Sequence, residues 1–311
     1  MASEPRNWPE ATEPTVGSES ALEWSLDRCK RTWHVLEYSG LYLALVAMVK
    51  VLIVVFLLSL PLTLAPLIGA LVTFAIYAND RLVDLRDDAI SNPRRVAFVW
   101  RHQRALYVTA AIAYGLGVAL AALGGPLAFG LTVLPGVGWL LYATEWLRVG
   151  AVGFDRLKEL PVVSSLFVAT AWSLPIVVLP LAFADAPFTP LAGFVFVYFL
   201  LTTFISTEIA NVRDVASDRA SGTETLATVL GIAQTRRVLD GIGLVTLSLL
   251  GYGAYTGYVT TLIAATLSIG VLGLLAVLAL VPRVGDRGLL TVVAECSPTP
   301  VLVVLVAASV I

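Results

Sequence analysis

FTPLAGFVFVYFLLTTFISTEIANVRDVASD, residues 188–218, holds two kinds of chain in one stretch. From 188 to about 211 it is apolar for the length a helix needs to cross a hydrocarbon core, about 20 residues for about 30 Å. Its end is acidic. Asn211, Asp214 and Asp218 follow three-then-four spacing, with Glu208 one turn deeper, so on a continuing helix they share one side.

The rest of the chain repeats the first message. Of 311 residues 58% are hydrophobic and only 14% charged, with a mean hydropathy of +0.86. Soluble domains carry about 25% charged residues, so this composition indicates a bilayer. Spans of crossing length read at about 40–61, 64–84, 104–123, 126–147, 160–183, 188–211, 236–257, 260–281 and 289–311. Turn chemistry separates them: Pro61 to Pro66, Gly124-Gly125-Pro126, Asp185 to Pro190, and Pro282 to Gly288. The expectation is an all-α polytopic bundle of about nine transmembrane helices over 39–311. A polar leader, 1–38, precedes it. Residues 1–18 have a disordered composition, and 19–38 read either as a surface helix with Trp24 and Trp33 at the interface or as a solvated leader.

Loop charge sets the orientation. Arg86, Arg94, Arg95 and Arg101 follow the second span; Arg148, Arg156 and Lys158 the fourth; Arg213, Arg219, Arg236 and Arg237 the sixth; Arg283 and Arg287 the eighth. The connections after spans one, three, five and seven hold no Lys or Arg. The positive-inside rule then places the N-terminus and the even-numbered connections in the cytoplasm of a cell-membrane protein. A net charge of −2 gives no support for nucleic-acid binding. Cys29 and Cys296 form no disulfide framework or zinc spacing.

A second acidic cluster ends the second span: Asn79, Asp80, Asp84, Asp87 and Asp88, with Asp80, Asp84 and Asp88 four apart on one helical face. Acids at a helix C-terminus oppose the macrodipole, and like charges one turn apart repel. Ionisable groups near membrane depth are as a rule functional. A divalent cation answers these objections together. Carboxylate and amide oxygens suit Mg²⁺, which takes one or two carboxylates plus substrate phosphate. Two such clusters on one membrane face suggest two Mg²⁺ ions clamping a diphosphate.

These residues resemble the UbiA superfamily of intramembrane prenyltransferases, which has nine transmembrane helices and Asp-rich motifs after helices two and six. Asn211-Val-Arg-Asp214-Val-Ala-Ser-Asp218, followed by Gly222, Thr225, Leu226 and Gly231, is similar to the second motif. Arg156-Leu-Lys158-Glu-Leu-Pro161 resembles the basic loop whose lysine meets the diphosphate, and Tyr142 matches a tyrosine of the fourth helix. The resemblance covers roughly residues 36–311. It implies a cytoplasm-facing central cavity and transfer of a polyprenyl group from its diphosphate to a lipophilic acceptor. It also implies Mg²⁺ held by Asp80, Asp84, Asp88, Asn211, Asp214 and Asp218, with Asp84, Asp214 and Lys158 central to catalysis. Tyr142, Lys158, Arg213, Arg219 and Glu208 are the candidate substrate contacts. The first motif departs from the family pattern. Either Asp80 stands where the family has Asn, or a distorted helix presents Asn79, and the regular spacing favours Asp80. The family's Arg-Pro at the first helix is replaced by Glu37-Tyr38-Ser39-Gly40.

Lys50 lies mid-span, where a charge is expensive; it is expected to pair with Glu295 or to approach a substrate head group. Tyr107, Tyr114 and Trp172 are candidates to flank a prenyl chain or carbocation, and His34 and His102 read as surface residues. The alternatives are an ion-coupled secondary transporter, or a family member with altered chemistry. Transporters place their ion sites near the midplane on broken helices, whereas these acids sit at helix ends. The CDP-alcohol phosphotransferase signature Asp-Gly-x-x-Ala-Arg is absent.

Overall fold

The computed structural model describes residues 21–83, 85, 92–143, 163–285 and 287–310. Among them all regular structure is helical. The helices are α1 (Ala21–Ser39), α2 (Leu41–Leu57), α3 (Ala65–Val83), α4 (Pro93–Ala121), α5 (Gly125–Ala143) and α6 (Val163–Phe183). They continue as α7 (Pro190–Ser221), the short α8 (Leu226–Val229), α9 (Ile232–Tyr255), α10 (Thr261–Leu280), α11 (Arg287–Glu295) and α12 (Pro298–Val310).

By length and hydropathy six segments among the described residues are able to cross a membrane, and the bent pair α1–α2 makes a seventh. One of the six, residues 93–138, is 46 residues long. At 1.5 Å per residue it would measure about 69 Å, more than twice a hydrocarbon core. It is two helices, α4 and α5, which meet at a 3₁₀ turn over Ala122–Gly124 and pack on one another.

Local chemistry sets the boundaries and explains where they depart from the hydropathy spans. α4 starts at Pro93, well before 104, because Asn92 caps it by accepting from the Arg95 amide at 3.0 Å. α7 starts at Pro190, where the Thr189 hydroxyl accepts from the Ala192 amide at 3.2 Å. It runs ten residues beyond 211 to Ser221, with Gly222 as its C-cap. The last span is broken at Cys296-Ser297, ahead of Pro298 and Pro300, whose rings cannot sit in a helix interior without removing a hydrogen bond. α1 meets α2 at 76°. Gly40, at φ 84°, makes that corner, and Arg81 Nη1 holds it by donating to the Glu37 carbonyl at 2.5 Å.

The helices pack in a closed circuit: α2 on α3, α3 on α4, then α5, α6, α7, α9, α10 and α12, which returns to α2. The main core joins α2, α3, α6, α7 and α10 through Val51, Ile68, Ile176, Phe199 and Leu267, and a second cluster packs α9, α10 and α11 on the far half of α7. Lipid tails are as apolar as leucine, so close packing and hydrogen bonds drive helix association in a bilayer. Gly270 allows one such approach. A Cβ there would stand 2.8 Å from Tyr198 Oη and 3.2 Å from Val301 Cγ2. The same Tyr198 hydroxyl donates to the Leu267 carbonyl at 3.1 Å. Thr132, Thr246, Thr266 and Ser268 donate to carbonyls one turn back, which leaves no hydroxyl of theirs unsatisfied in a dry setting.

Candidate active site

The acids end two helices of the circuit. Asn79 and Asp80 lie in the last described turn of α3, both half-buried. α3 is α-helical through Val83, and the Asn79 amide donates to its own Ala75 carbonyl at 2.8 Å. Asp84, Asp88 and Lys158 lie outside the described residues, as does the side chain of Tyr142 at the end of α5.

On α7 the second cluster is in view. Asn211 donates through Nδ2 to Ser165 Oγ at 3.2 Å, which ties α7 to α6. The Asp214 carboxylate receives both Arg213 Nε, at 2.8 Å, and Arg213 Nη2. Asp218 stands one turn on, half-buried, and Arg219 is exposed. Glu208 is 0% exposed, one turn before Asn211, with the Ser165 hydroxyl and the Asn211 amide as the polar groups facing its carboxylate. The amide oxygen of Asn211 and the carboxylates of Asp214 and Asp218, on one side of α7, are a donor set that fits a hard divalent cation. Among the described residues no three His, Cys, Asp or Glu side chains converge as a metal site by themselves.

At 100° per residue, Thr203, Thr207, Asn211, Asp214 and Asp218 fall within about 80° of one another on α7. Thr73, Tyr77 and Asp80 share one face of α3 in the same way. Both faces therefore descend from acids to hydroxyl and aromatic side chains. Thr73, Tyr77, Thr203 and Thr207 meet around an inner cavity of about 40 Å³, completed by Lys50 of α2, Trp172 of α6 and Glu295 of α11. Lys50 Nζ stands 3.9 Å from Glu295 Oε2, and Ser206 donates to Glu295 Oε1 at 3.2 Å. The Tyr77 and Trp172 rings stack, 5.5 Å apart and 8° from parallel. A second cavity, about 30 Å³ and lined by Val51, Ile68, Val72, Leu131, Pro135 and Leu179, shares the Trp172 and Ile176 wall. Glu208 lines neither.

A larger polar cavity, about 1,030 Å³, opens on the other side of α7, lined there by Arg213, Ala216 and Ser217. Arg94, Arg283, Arg287 and the α1 residues Glu37 and Tyr38 complete its rim. Arg213 is thus placed between an anion-attracting cavity and the carboxylate it binds. Of the aromatic candidates, Trp172 lines both inner cavities. Tyr114 donates to the Val133 carbonyl at 3.1 Å and joins α4 to α5. Tyr107 is 63% exposed on α4, facing away from the inner cavities. The sequence reading named neither Thr203 nor Tyr77, although each lies on the acid face of its helix one or two turns below the acids.

The fold and the site define an integral membrane bundle that presents acids from two helix ends above a partly polar interior. The chain belongs to the UbiA prenyltransferase family, whose model matches residues 57–288. A digeranylgeranylglyceryl phosphate synthase of Metallosphaera sedula is 30% identical over 180 residues, 57% of this chain. The match spans 59% of that relative's length. A UbiA homolog from Aeropyrum pernix K1, solved in its apo form, superposes with a TM-score of 0.64 at 17% identity, over 88% of this chain and 98% of that one. A UbiA homolog from Archaeoglobus fulgidus, solved bound to GPP and Mg²⁺, gives a TM-score of 0.65 at 13% identity, over 89% and 99%. At these identities the two structures share the fold.

Proposed function

We propose that this protein transfers a polyprenyl group from its diphosphate to a lipophilic acceptor within the membrane and releases diphosphate. The observation that carries the reading is the pair of helical faces, one on α3 and one on α7, that run from acids down to one inner cavity. Such an arrangement holds a charged head at the helix ends and a reactive tail below it. Family membership and the solved relative bound to GPP and Mg²⁺ support the same chemistry.

Asn211, Asp214 and Asp218 on one side and Asp80, Asp84 and Asp88 on the other would hold Mg²⁺, which supplies charge neutralisation for the leaving diphosphate. The regular helix through Val83, with the Asn79 amide already bonded to Ala75, supports Asp80 over Asn79 as the first ligand. Lys158 and Arg213 would add positive charge at the diphosphate. Arg219 and Tyr142 remain candidates at the rim. Below, the Tyr77–Trp172 stack and the apolar cavity beside it supply aromatic faces and a dry wall for the allylic cation.

Among the described residues, taking α4 and α5 as separate crossings and adding α2 and α3 to the apolar segments supports the nine-span reading. The arginine distribution puts the acid clusters, the cavity mouth and the N-terminus in the cytoplasm, with α1 along the membrane surface. The test is Mg²⁺-dependent diphosphate release from an allylic diphosphate by the purified protein in lipid nanodiscs. Release that chelator abolishes and Mg²⁺ restores is the expected result. Cation-driven solute uptake by proteoliposomes, without diphosphate release, would replace this reading with a transporter.

A further inference from the structure

The inner cavity holds two features that packing does not explain. The first is the Lys50–Glu295 pair. Its members come from α2 and α11, lie well inside the bundle, and stand 3.9 Å apart, longer than a hydrogen bond. A buried ion pair repays its desolvation only with close geometry, and this one is held open. The second is Thr203, 6% exposed, whose hydroxyl lines the cavity and has no hydrogen-bond partner among the described residues. A buried hydroxyl without a partner costs about 1–3 kcal/mol. A cation, a carboxylate and an orphan hydroxyl thus face one small space.

We propose that this space is the acceptor subsite and that it takes an aliphatic hydroxyl group; the inference rests on the prenyl-transfer reading above. Thr203 Oγ donates to one lone pair of the acceptor oxygen, the Lys50 ammonium faces that oxygen as a charge, and the acceptor O–H donates to Glu295, which leaves the second lone pair free to attack. The polar lining points to the class of acceptor: a cation, a carboxylate and an orphan hydroxyl converge on about 40 Å³, room for a hydroxyl and its carbon. The Trp172 wall shared with the apolar cavity leads the acceptor's chain away. The position is also right for attack: Thr207 and Tyr77 lie one turn below Asn211 and Asp80, where the allylic carbon of a diphosphate held at the acids would hang.

The step balances. The allylic C–O bond breaks and its electron pair leaves with diphosphate. An acceptor oxygen lone pair forms the new C–O bond to that carbon, and the acceptor proton passes to a Glu295 oxygen. Ser206, donating to the other oxygen, fixes the carboxylate in place. Glu295 is therefore a catalytic residue, and Lys50 and Thr203 bind the acceptor.

The experiment uses the full chain in nanodiscs with Mg²⁺, geranylgeranyl diphosphate as donor, and geranylgeranylglyceryl phosphate or 4-hydroxybenzoate as acceptor probe. It reads the ratio of transfer product to free prenyl alcohol, which does not depend on how much of a variant is folded. The wild type is expected to transfer to the aliphatic alcohol. Glu295→Gln should lower that ratio about a hundredfold, and Thr203→Val should raise the acceptor KM about tenfold. The double variant Lys50→Met/Glu295→Gln should stay low. A ratio unchanged in Glu295→Gln, or one that recovers in the double variant as a purely structural pair would, overturns the assignment. So does a wild type that transfers to 4-hydroxybenzoate alone, while leaving prenyl transfer standing. A wild type that releases no diphosphate removes both.

Discussion

Asp214 is bound at both oxygens by its own neighbour Arg213, and this pairing sets what its removal should do. A charge-assisted bidentate pair is among the stronger hydrogen-bonded contacts, so a Mg²⁺ ion held there as proposed would have to compete for the carboxylate. Asp214→Asn is expected to abolish turnover while the protein stays folded and inserted; near-normal activity in Mg²⁺ would exclude this cluster as a metal site. Arg213→Gln is expected to lower the Mg²⁺ concentration needed for half-maximal rate and to raise the donor KM about tenfold, roughly 1.4 kcal/mol. Opposite movement of the two constants is what a Mg²⁺ titration at several donor concentrations should show. At the other cluster, Asp80→Ala should raise the Mg²⁺ requirement strongly and Asn79→Ala should barely move it; the reverse would put Asn79 in the first position. Single residues were unevenly legible in the sequence. Lys50 and Glu295 could be matched because a charge in a bilayer has to find a partner. Thr203 could not, because threonines are common in membrane helices and ordinarily bond one turn back, as Thr202 does to Tyr198.

Helices were legible wherever apolar length alone defines them, and less so at their ends. Hydropathy stops counting at the first charges, whereas a helix stops only when its backbone is capped or broken. α4 begins at Asn92-Pro93 and α7 continues to Gly222 for that reason. The break of the last span at Cys296-Ser297 follows from prolines visible in the sequence. Which faces touch was not legible, since it depends on small residues meeting particular side chains. Gly270 gives a test. Gly270→Leu should push α10 off Tyr198 and Val301 and destabilise the protein by about 1–3 kcal/mol. Gly251→Leu, on an exposed stretch of α9 with nothing near its would-be Cβ, should be close to neutral. Thermal midpoints in detergent will separate the two, and equal shifts would mean that the close approach does not matter.

At the scale of the molecule, the circuit from α2 round to α12 places both acid-bearing helix ends at one pole. The arginines facing the large polar cavity lie at that pole too: Arg94, Arg213, Arg283 and Arg287. Tyr258, in the turn between α9 and α10, belongs to the opposite pole. In a background lacking Cys29 and Cys296, a cysteine at position 94 should react with an impermeant reagent only from the cytoplasmic side, and one at position 258 only from outside. Labelling of position 94 from outside would invert the protein and dissolve the link between loop charge and site. The sequence carried the all-α membrane bundle because long apolar runs are a global pattern that single residues do not disturb. It did not carry the inner cavity, which exists only where five helices meet.

α7 is longer than the membrane is thick. Its 32 residues measure about 48 Å, against about 30 Å of hydrocarbon. With Pro190 at one face of the hydrocarbon and the helix upright, some twenty residues reach Ile209, which would set the lipid boundary between Glu208 and Asn211. Asn211, the first of the cluster, would then lie two residues past that line. Two or three more methylenes on each lipid tail would raise that line by about one helical turn and drown Asn211 and Asp214, where charge is costly. Catalysis should therefore be tuned by its own solvent: fastest in bilayers of ordinary thickness, falling in thick ones, with the bound metal weakened before the helices loosen.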